Sequence, residues 1–103
     1  MIVNVYGENY NLKFKKAKYQ NNDNTAVVVI TEENEPFCNL TVNLDKLDNE
    51  DLAYIDINNC PKSIIEKLEE NGDIINMFSF FQSGFVTYPL YHIGNLISKI
   101  EEV

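Results

Sequence analysis

The sequence predicts an α+β fold, a mainly antiparallel sheet of five to seven strands with one or two helices packed on one face. Three observations favour this class. Several short segments are rich in β-branched and aromatic residues, polar turn-forming stretches separate them, and only two segments have helical apolar spacing. A chain of 103 residues can bury one core, so residues 1–103 are expected to form a single domain.

The first predicted unit is a β-hairpin. Two β-rich segments, 2–6 and 10–18, flank the turn-forming sequence Gly7-Glu8-Asn9. We expect Val5 to lie opposite Leu12, because this register places the apolar residues of both strands on one face.

The middle of the chain predicts two further strands. Residues 25–30, TAVVVI, form an almost unbroken β-branched run, which is typical of a strand covered on both faces. Residues 38–44 instead alternate between apolar and polar side chains. This alternation predicts a half-buried strand in which Asn39, Thr41 and Asn43 face water or a partner.

The second half predicts both helices and the remaining strands. Residues 52–57 predict a short strand, and residues 63–71 a helix that begins with capping-box spacing at Ser63 and Glu66. Apolar, β-rich segments follow at 73–81 and 85–88, joined by the turn 82–84, and residues 93–100 have helical spacing. Because Pro89 has no N–H, the strand that precedes it is expected to lie at an edge or to end there.

The charge balance limits the classes of partner. Sixteen acidic residues face eight lysines with no arginine, which gives a net charge of −8. This composition argues against direct nucleic-acid binding and against an anionic membrane surface, and it favours a basic or neutral protein partner. The sequence has no long apolar run and no signal-peptide pattern, so a cytoplasmic location is expected.

The residues that could perform catalysis do not form a recognisable motif. His92 is the single histidine, so it would have to be the base for any nucleophile. The conceivable partners are Ser83, Thr87, Cys38, Cys60 and, as an orienting acid, Asp56. No nucleophile elbow or glycine-rich phosphate loop accompanies them. We therefore expect a non-enzymatic protein with no catalytic residue, no cofactor and no metal.

The two cysteines carry no metal or disulfide prediction. Cys38 and Cys60 are too few and too far apart in the sequence to suggest a metal site or a disulfide framework. We expect two reduced thiols, one of them buried.

The aromatic segment SGFVTYPLYHI, residues 83–93, is the first candidate site. Tyrosine is enriched at protein interfaces, so Tyr88, Tyr91 and His92 are the candidate protein-binding residues. Phe85 is expected to belong to the core.

The acidic residues Asp45, Asp48, Glu50 and Asp51 are the second candidate surface. They lack the spacing and the central glycine of a calcium-binding EF-hand. They leave open the alternative that the protein is a nucleic-acid mimic, which occupies the DNA- or RNA-binding groove of a nuclease. A second alternative is an uncharacterised small enzyme or small-ligand binder.

Three segments, LTVNL at 40–44, AYIDINNCP at 53–61 and SGFVTYPLY at 83–91, carry a family resemblance in their order and spacing. They resemble an uncharacterised domain-of-unknown-function family of short proteins carried by conjugative elements, plasmids and phages of low-GC Gram-positive bacteria. The resemblance extends to about Ile93 and implies no catalytic residue. It implies an accessory protein of a mobile element that binds a host or element-encoded protein, and antagonism of a host defence system is one concrete form of that role.

Overall fold

The computed structural model describes residues 1–102 and confirms the α+β class. The helices are α1 (Lys62–Glu70) and α2 (Gly94–Ile97). The β-structure is divided into more and shorter strands than the five to seven expected: β1 (Ile2–Val5), β2 (Glu8–Asn11), β3 (Lys13–Lys18), β4 (Thr25–Ile30), β5 (Pro36–Asn39), β6 (Thr41–Val42), β7 (Leu52–Ile55), β8 (Ile75–Ser83), β9 (Val86–His92) and β10 (Glu101–Glu102).

The strands are arranged in three sheets. The hairpin β1-β2 is one sheet, a second has the order β10-β3-β4-β5, and a third has the order β6-β7-β9-β8. All the pairings are antiparallel except that of β10 with β3. The prediction of a strand at 25–30 is confirmed in β4, whose central position in its sheet explains its continuous apolar sequence.

The predicted register of the first hairpin is wrong. Val5 lies opposite Glu8, not Leu12, because the chain turns over Tyr6 and Gly7. Both residues have positive φ, 50° for Tyr6 and 90° for Gly7, as a two-residue type I′ turn requires. Leu12 is buried after β2 has ended, and its N–H donates to the Met1 carbonyl.

The predicted strand 38–44 passes from one sheet to another at Leu40. Before this residue, β5 pairs with β4, and after it β6 pairs with β7. Leu40 is fully buried between the two sheets; its N–H donates to the Val27 carbonyl, and its own carbonyl accepts from the Asp56 N–H. The alternation of the sequence is therefore real, but it belongs to two short strands in different sheets.

Thr41 corrects the expectation that the polar residues of this segment face water or a partner. Its side chain is buried, and its hydroxyl accepts a hydrogen bond of 3.0 Å from the Val27 N–H and contacts the Tyr19 hydroxyl at 2.9 Å. The hydroxyl thereby supplies the acceptor that strand pairing would otherwise give to Val27.

One cluster of buried side chains joins the sheets and helix α1. The helix contributes Ile64, Ile65 and Leu68, as its apolar spacing predicts. The predicted capping box does not form, since the cap residue is Pro61 and no side chain caps the helix. The predicted helix 93–100 is reduced to the four residues of α2.

The prediction for Pro89 is wrong. Strand β9 is central in its sheet, between β7 and β8, and it continues past Pro89 to His92. On one side Pro89 lies opposite Phe80, and on the other side the pairing with β7 extends only to Leu90. The missing N–H is tolerated because the pairing with β7 stops at Leu90 and does not include Pro89. Among residues 1–102, neither helix has the length and apolar character that crossing a membrane requires.

Candidate protein-binding surface

The β8–β9 hairpin differs from the rest of the molecule in charge. From Ile74 to Tyr91 there is no Asp, Glu, Lys or Arg, although 23% of the chain is charged. The same stretch holds four of the six phenylalanines and two of the six tyrosines. We call residues 75–91 the charge-free hairpin. The centre of a protein interface has the same composition: it is poor in charged residues and rich in aromatic ones.

Five large apolar side chains of the charge-free hairpin are exposed to solvent. Strand β8 is at the edge of its sheet, and within the described residues no strand pairs with its free side. Phe78 is 82% exposed, and Phe85 at the tip of the hairpin is fully exposed. The large apolar residues of the hairpin that lie exposed are Ile75, Met77, Phe78, Phe80 and Phe85. The prediction that Phe85 belongs to the core is therefore wrong.

A bulge interrupts β8 in the middle of this exposed surface. Asn76 lies opposite Tyr91 and Phe80 opposite Pro89, so three residues of β8 occupy the interval that one residue of β9 spans. Phe78, at the centre of the bulge, has a φ of +56°, and its N–H donates to Asn76 Oδ1 at 2.8 Å. A bulky residue in this backbone region is strained, and such strain is concentrated at functional sites.

The two faces of the third sheet follow from the register. Ala53 lies opposite Tyr91, and both are buried against the core. The alternate residues share the other face, which we call the outer face, and they include Leu52, Tyr54, Phe81, Tyr88, Leu90 and His92. The rings of Tyr54 and Phe81 meet there with centroids 5.6 Å apart. Except for the buried Tyr54, these residues are only partly covered.

The three candidate protein-binding residues of β9 therefore do not share one face of the sheet. Tyr88 and His92 lie on the outer face and are half-buried, whereas Tyr91 is only 5% exposed. The phenol of Tyr91 donates to Glu69 Oε1 on α1 at 2.7 Å. Burial, with the hydrogen bond and charge of Glu69, raises the pKa of Tyr91. Tyr91 joins the sheet to the helix, so its side chain is not available to a partner.

At His92, the aromatic candidate site lies next to the acidic candidate surface. Its Nε2 lies 4.0 Å from Asp51 Oδ2, and its Nδ1 accepts from the Gly94 N–H at 3.3 Å. A Cβ at Gly94 would approach His92 Cε1 to 2.6 Å, so the ring fits only because this residue is glycine. The Ile93 N–H donates to the Asp51 carbonyl, which holds the acidic loop against the end of β9.

The acidic loop, residues 45–51, is held in place by polar side chains from the β3–β4 connection and β4. Buried Asn24 donates from Nδ2 to the Asp45 carbonyl at 2.9 Å and accepts at Oδ1 from the Leu47 N–H at 2.8 Å. Thr25 Oγ1 donates to the Glu50 carbonyl at 2.7 Å. Asn24 lies in one of the polar turn-forming stretches between predicted strands, and no local feature of the sequence indicates that it is buried or that it bonds to a distant loop.

The four acidic candidates have different surroundings. Asp45 and Asp48 are exposed, and Asp51 lies beside His92. Glu50 accepts a hydrogen bond from Lys18 Nζ at 2.9 Å, and this bond, with the charge of Lys18, lowers the pKa of Glu50. Burial raises the pKa of Tyr54, and the charge of Asp45 adds to the effect.

The cysteines are close in space. Cys38 on β5 and Cys60, just before α1, place their Sγ atoms 3.8 Å apart, although they are distant in the sequence.

Within residues 1–102, His, Cys, Asp and Glu side chains form no group of three or more placed to hold a metal ion.

Comparison with known proteins gives one family. The family model described as a domain of unknown function, DUF4313, matches residues 12–102. No curated protein and no solved structure matches the chain.

Proposed function

The chain belongs to the DUF4313 family, whose function is unknown, and from its surface we propose that it is a non-enzymatic protein that binds another protein through the charge-free hairpin. Exposed Phe78 and Phe85 at the edge and tip of an uncharged hairpin are the observation that carries the proposal. Exposed apolar surface costs solubility, so a concentrated patch of it favours a docking function.

The chemistry of the partner follows from the surroundings of the hairpin. The partner presents an apolar surface to Phe78 and Phe85, and lysine or arginine at its margin to meet Asp51, which lies beside His92 on the outer face. A second copy of the chain fits less well, because each copy carries a net charge of −8 and the bulge in β8 interrupts the regular edge that strand-to-strand pairing uses.

The biological setting in this proposal is a mobile genetic element. The ordered motifs resemble short proteins of conjugative elements, plasmids and phages, and a chain with lysine but no arginine agrees with AT-rich coding. The partner is then a host or element-encoded protein, and inhibition of a host defence system is the activity that such an accessory protein would supply.

Capture from a lysate of the native host, followed by mass spectrometry, tests the docking surface through a matched pair of variants. Phe78→Ser removes an exposed aromatic residue at positive φ from the hairpin. Tyr6→Ser removes a residue of the same kind, 92% exposed with a φ of 50°, from the β1-β2 turn. We expect the double variant Phe78→Ser, Phe85→Ser to lose the captured protein and Tyr6→Ser to keep it. Equal capture by the wild-type protein, the double variant and Tyr6→Ser would refute the docking surface.

Salt dependence separates docking from the nucleic-acid mimic, which is the alternative. A mimic binds through its carboxylates, so its complex should dissociate as salt rises and should be lost in the Asp45→Asn, Asp48→Asn variant. Docking through the charge-free hairpin predicts a complex that survives moderate salt and this double substitution. Asp45 and Asp48 are the appropriate positions because both are exposed, whereas Glu50 is paired with Lys18.

A further inference from the structure

Cys38 and Cys60 form a dithiol whose two members differ in exposure. Their Sγ atoms are in contact at 3.8 Å, Cys38 is partly exposed and Cys60 is buried. Cys38 lines a shallow hollow of about 330 Å³ with residues of β4 and β5, including Val28 and Phe37. A small reagent can therefore reach Cys38 first, with Cys60 directly behind it.

A buried carboxylate accompanies the two thiols. Asp56 is 4% exposed; its Oδ2 accepts from Asn59 Nδ2 at 3.0 Å, and its Oδ1 is buried without a hydrogen-bond partner. Its carbonyl accepts from the Cys60 N–H at 2.7 Å, so Asp56 and Cys60 belong to the same turn.

The surroundings give the thiols different acidities. Hydrogen bonding with Cys60 lowers the pKa of Cys38, although burial and Asp56 oppose this effect. Hydrogen bonding with Cys38, burial and the nearby charge of Asp56 raise the pKa of Cys60. Cys38 is also the more exposed of the two, and access to the reagent is what an attacking thiol requires.

We propose that Cys38 and Cys60 are an oxidation site for hydroperoxides, at which Cys38 is attacked first and Cys60 closes a reversible disulfide. In the first step the Cys38 thiolate attacks one oxygen of the peroxide. An S–O bond forms, the O–O bond breaks, and the leaving oxygen takes up a proton as water or an alcohol.

The second step joins the two cysteines. Cys60 attacks Cys38 Sγ with loss of its thiol proton, so that the S–S bond forms and the S–O bond breaks. The hydroxide that leaves takes up this proton as water. The thiol pair has then lost two electrons to the peroxide. Closure brings the two Sγ atoms from 3.8 Å to an S–S length of about 2.05 Å.

Oxidation of the full chain with hydrogen peroxide tests the proposal. After reduction and removal of the reductant, we expect both free thiols to be lost and dithiothreitol to restore them. Peptide mapping by mass spectrometry should find Cys38 joined to Cys60 within one chain. The cross-link should form faster in the native protein than in urea, because the fold holds the thiols together. This comparison requires no variant, so it remains decisive even if a cysteine substitution impairs folding.

Single substitutions test the order of attack. In Cys60→Ser, the sulfenic acid on Cys38 has no thiol to resolve it and should be trapped by dimedone. In Cys38→Ser, buried Cys60 should remain reduced and give no adduct. Retention of both thiols in the wild-type protein, overoxidation without a cross-link, equal rates in native protein and in urea, or an adduct on Cys60 but not on Cys38 would each overturn the proposal.

Discussion

The phenol of Tyr91 donates a hydrogen bond of 2.7 Å to the Glu69 carboxylate, and this contact joins the sheet of the charge-free hairpin to α1. Tyr91 and Tyr88 are only three residues apart in β9, yet Tyr91 fixes the sheet against the helix while Tyr88 belongs to the outer face. The alternation of a strand explains how one short segment carries both structural and candidate binding residues.

Tyr91→Phe should lower the free energy of unfolding at neutral pH by about 1 kcal/mol, the usual net contribution of one hydrogen bond. The pKa of Tyr91 is raised in the folded protein, so the protonated phenol stabilises the fold below its unfolded pKa and the effect is lost as the pH rises towards the folded value. Urea unfolding at pH 7 and about pH 10.5 should therefore show a smaller difference between wild type and variant at the higher pH. An equal difference at both pH values would contradict this linkage.

Thr41→Val should lower the free energy of unfolding by about 1–3 kcal/mol, because the buried Val27 N–H loses its acceptor. Thr41→Ser keeps the hydroxyl and should cost clearly less. Chemical denaturation of both variants makes the comparison. Equal losses would contradict this prediction, because the methyl group would then contribute as much stability as the hydroxyl.

Phe78→Gly should raise the free energy of unfolding, by up to about 1 kcal/mol, since glycine accepts positive φ without strain and little burial is lost. Tyr6→Gly should behave similarly, because Tyr6 is also exposed at positive φ. Only the change at Phe78 should reduce partner capture. If Phe78→Gly destabilised the protein while Tyr6→Gly did not, Phe78 would have a packing function that its exposure does not reveal.

Gly94→Ala should displace the His92 ring from Asp51, because the new Cβ would lie 2.6 Å from His92 Cε1. We expect the NMR signals of the imidazole to shift and the free energy of unfolding to fall by roughly 1 kcal/mol, as is common for single substitutions. Asn95→Ala, at the next and exposed position, changes α2 without crowding His92 and provides a control for the imidazole signals; it also removes the hydrogen bond from Asn95 Nδ2 to the Gly72 carbonyl, so it is not a control for stability. Unchanged imidazole signals in Gly94→Ala would show that another rearrangement absorbs the methyl group.

The elements predicted well are those whose signal is local. The continuous β-branched run gave β4, and the apolar spacing at Ile64, Ile65 and Leu68 gave α1. The aromatic segment also marked the hairpin whose large apolar side chains lie exposed. These features depend on neighbouring residues in the chain, so periodicity alone identifies them.

The features that were missed depend on contacts between distant segments. Thr41 turns inward only because Leu40 passes between two sheets, and Cys38 meets Cys60 only because β5 lies beside the turn that precedes α1. Phe85 was expected to be buried because large apolar residues usually are, whereas its place at a hairpin tip exposes it. In each case the tertiary arrangement determines where the side chain lies, and a local sequence pattern carries no information about that arrangement.

The passage of the chain through Leu40 also affects the entropy of binding. Because one continuous segment belongs to both four-stranded sheets, neither sheet can separate from the other without uncovering Leu40. The sheet that presents the charge-free hairpin is thereby attached to the core at its β6 edge. In the proposed complex, this attachment would leave less backbone freedom to be lost on association.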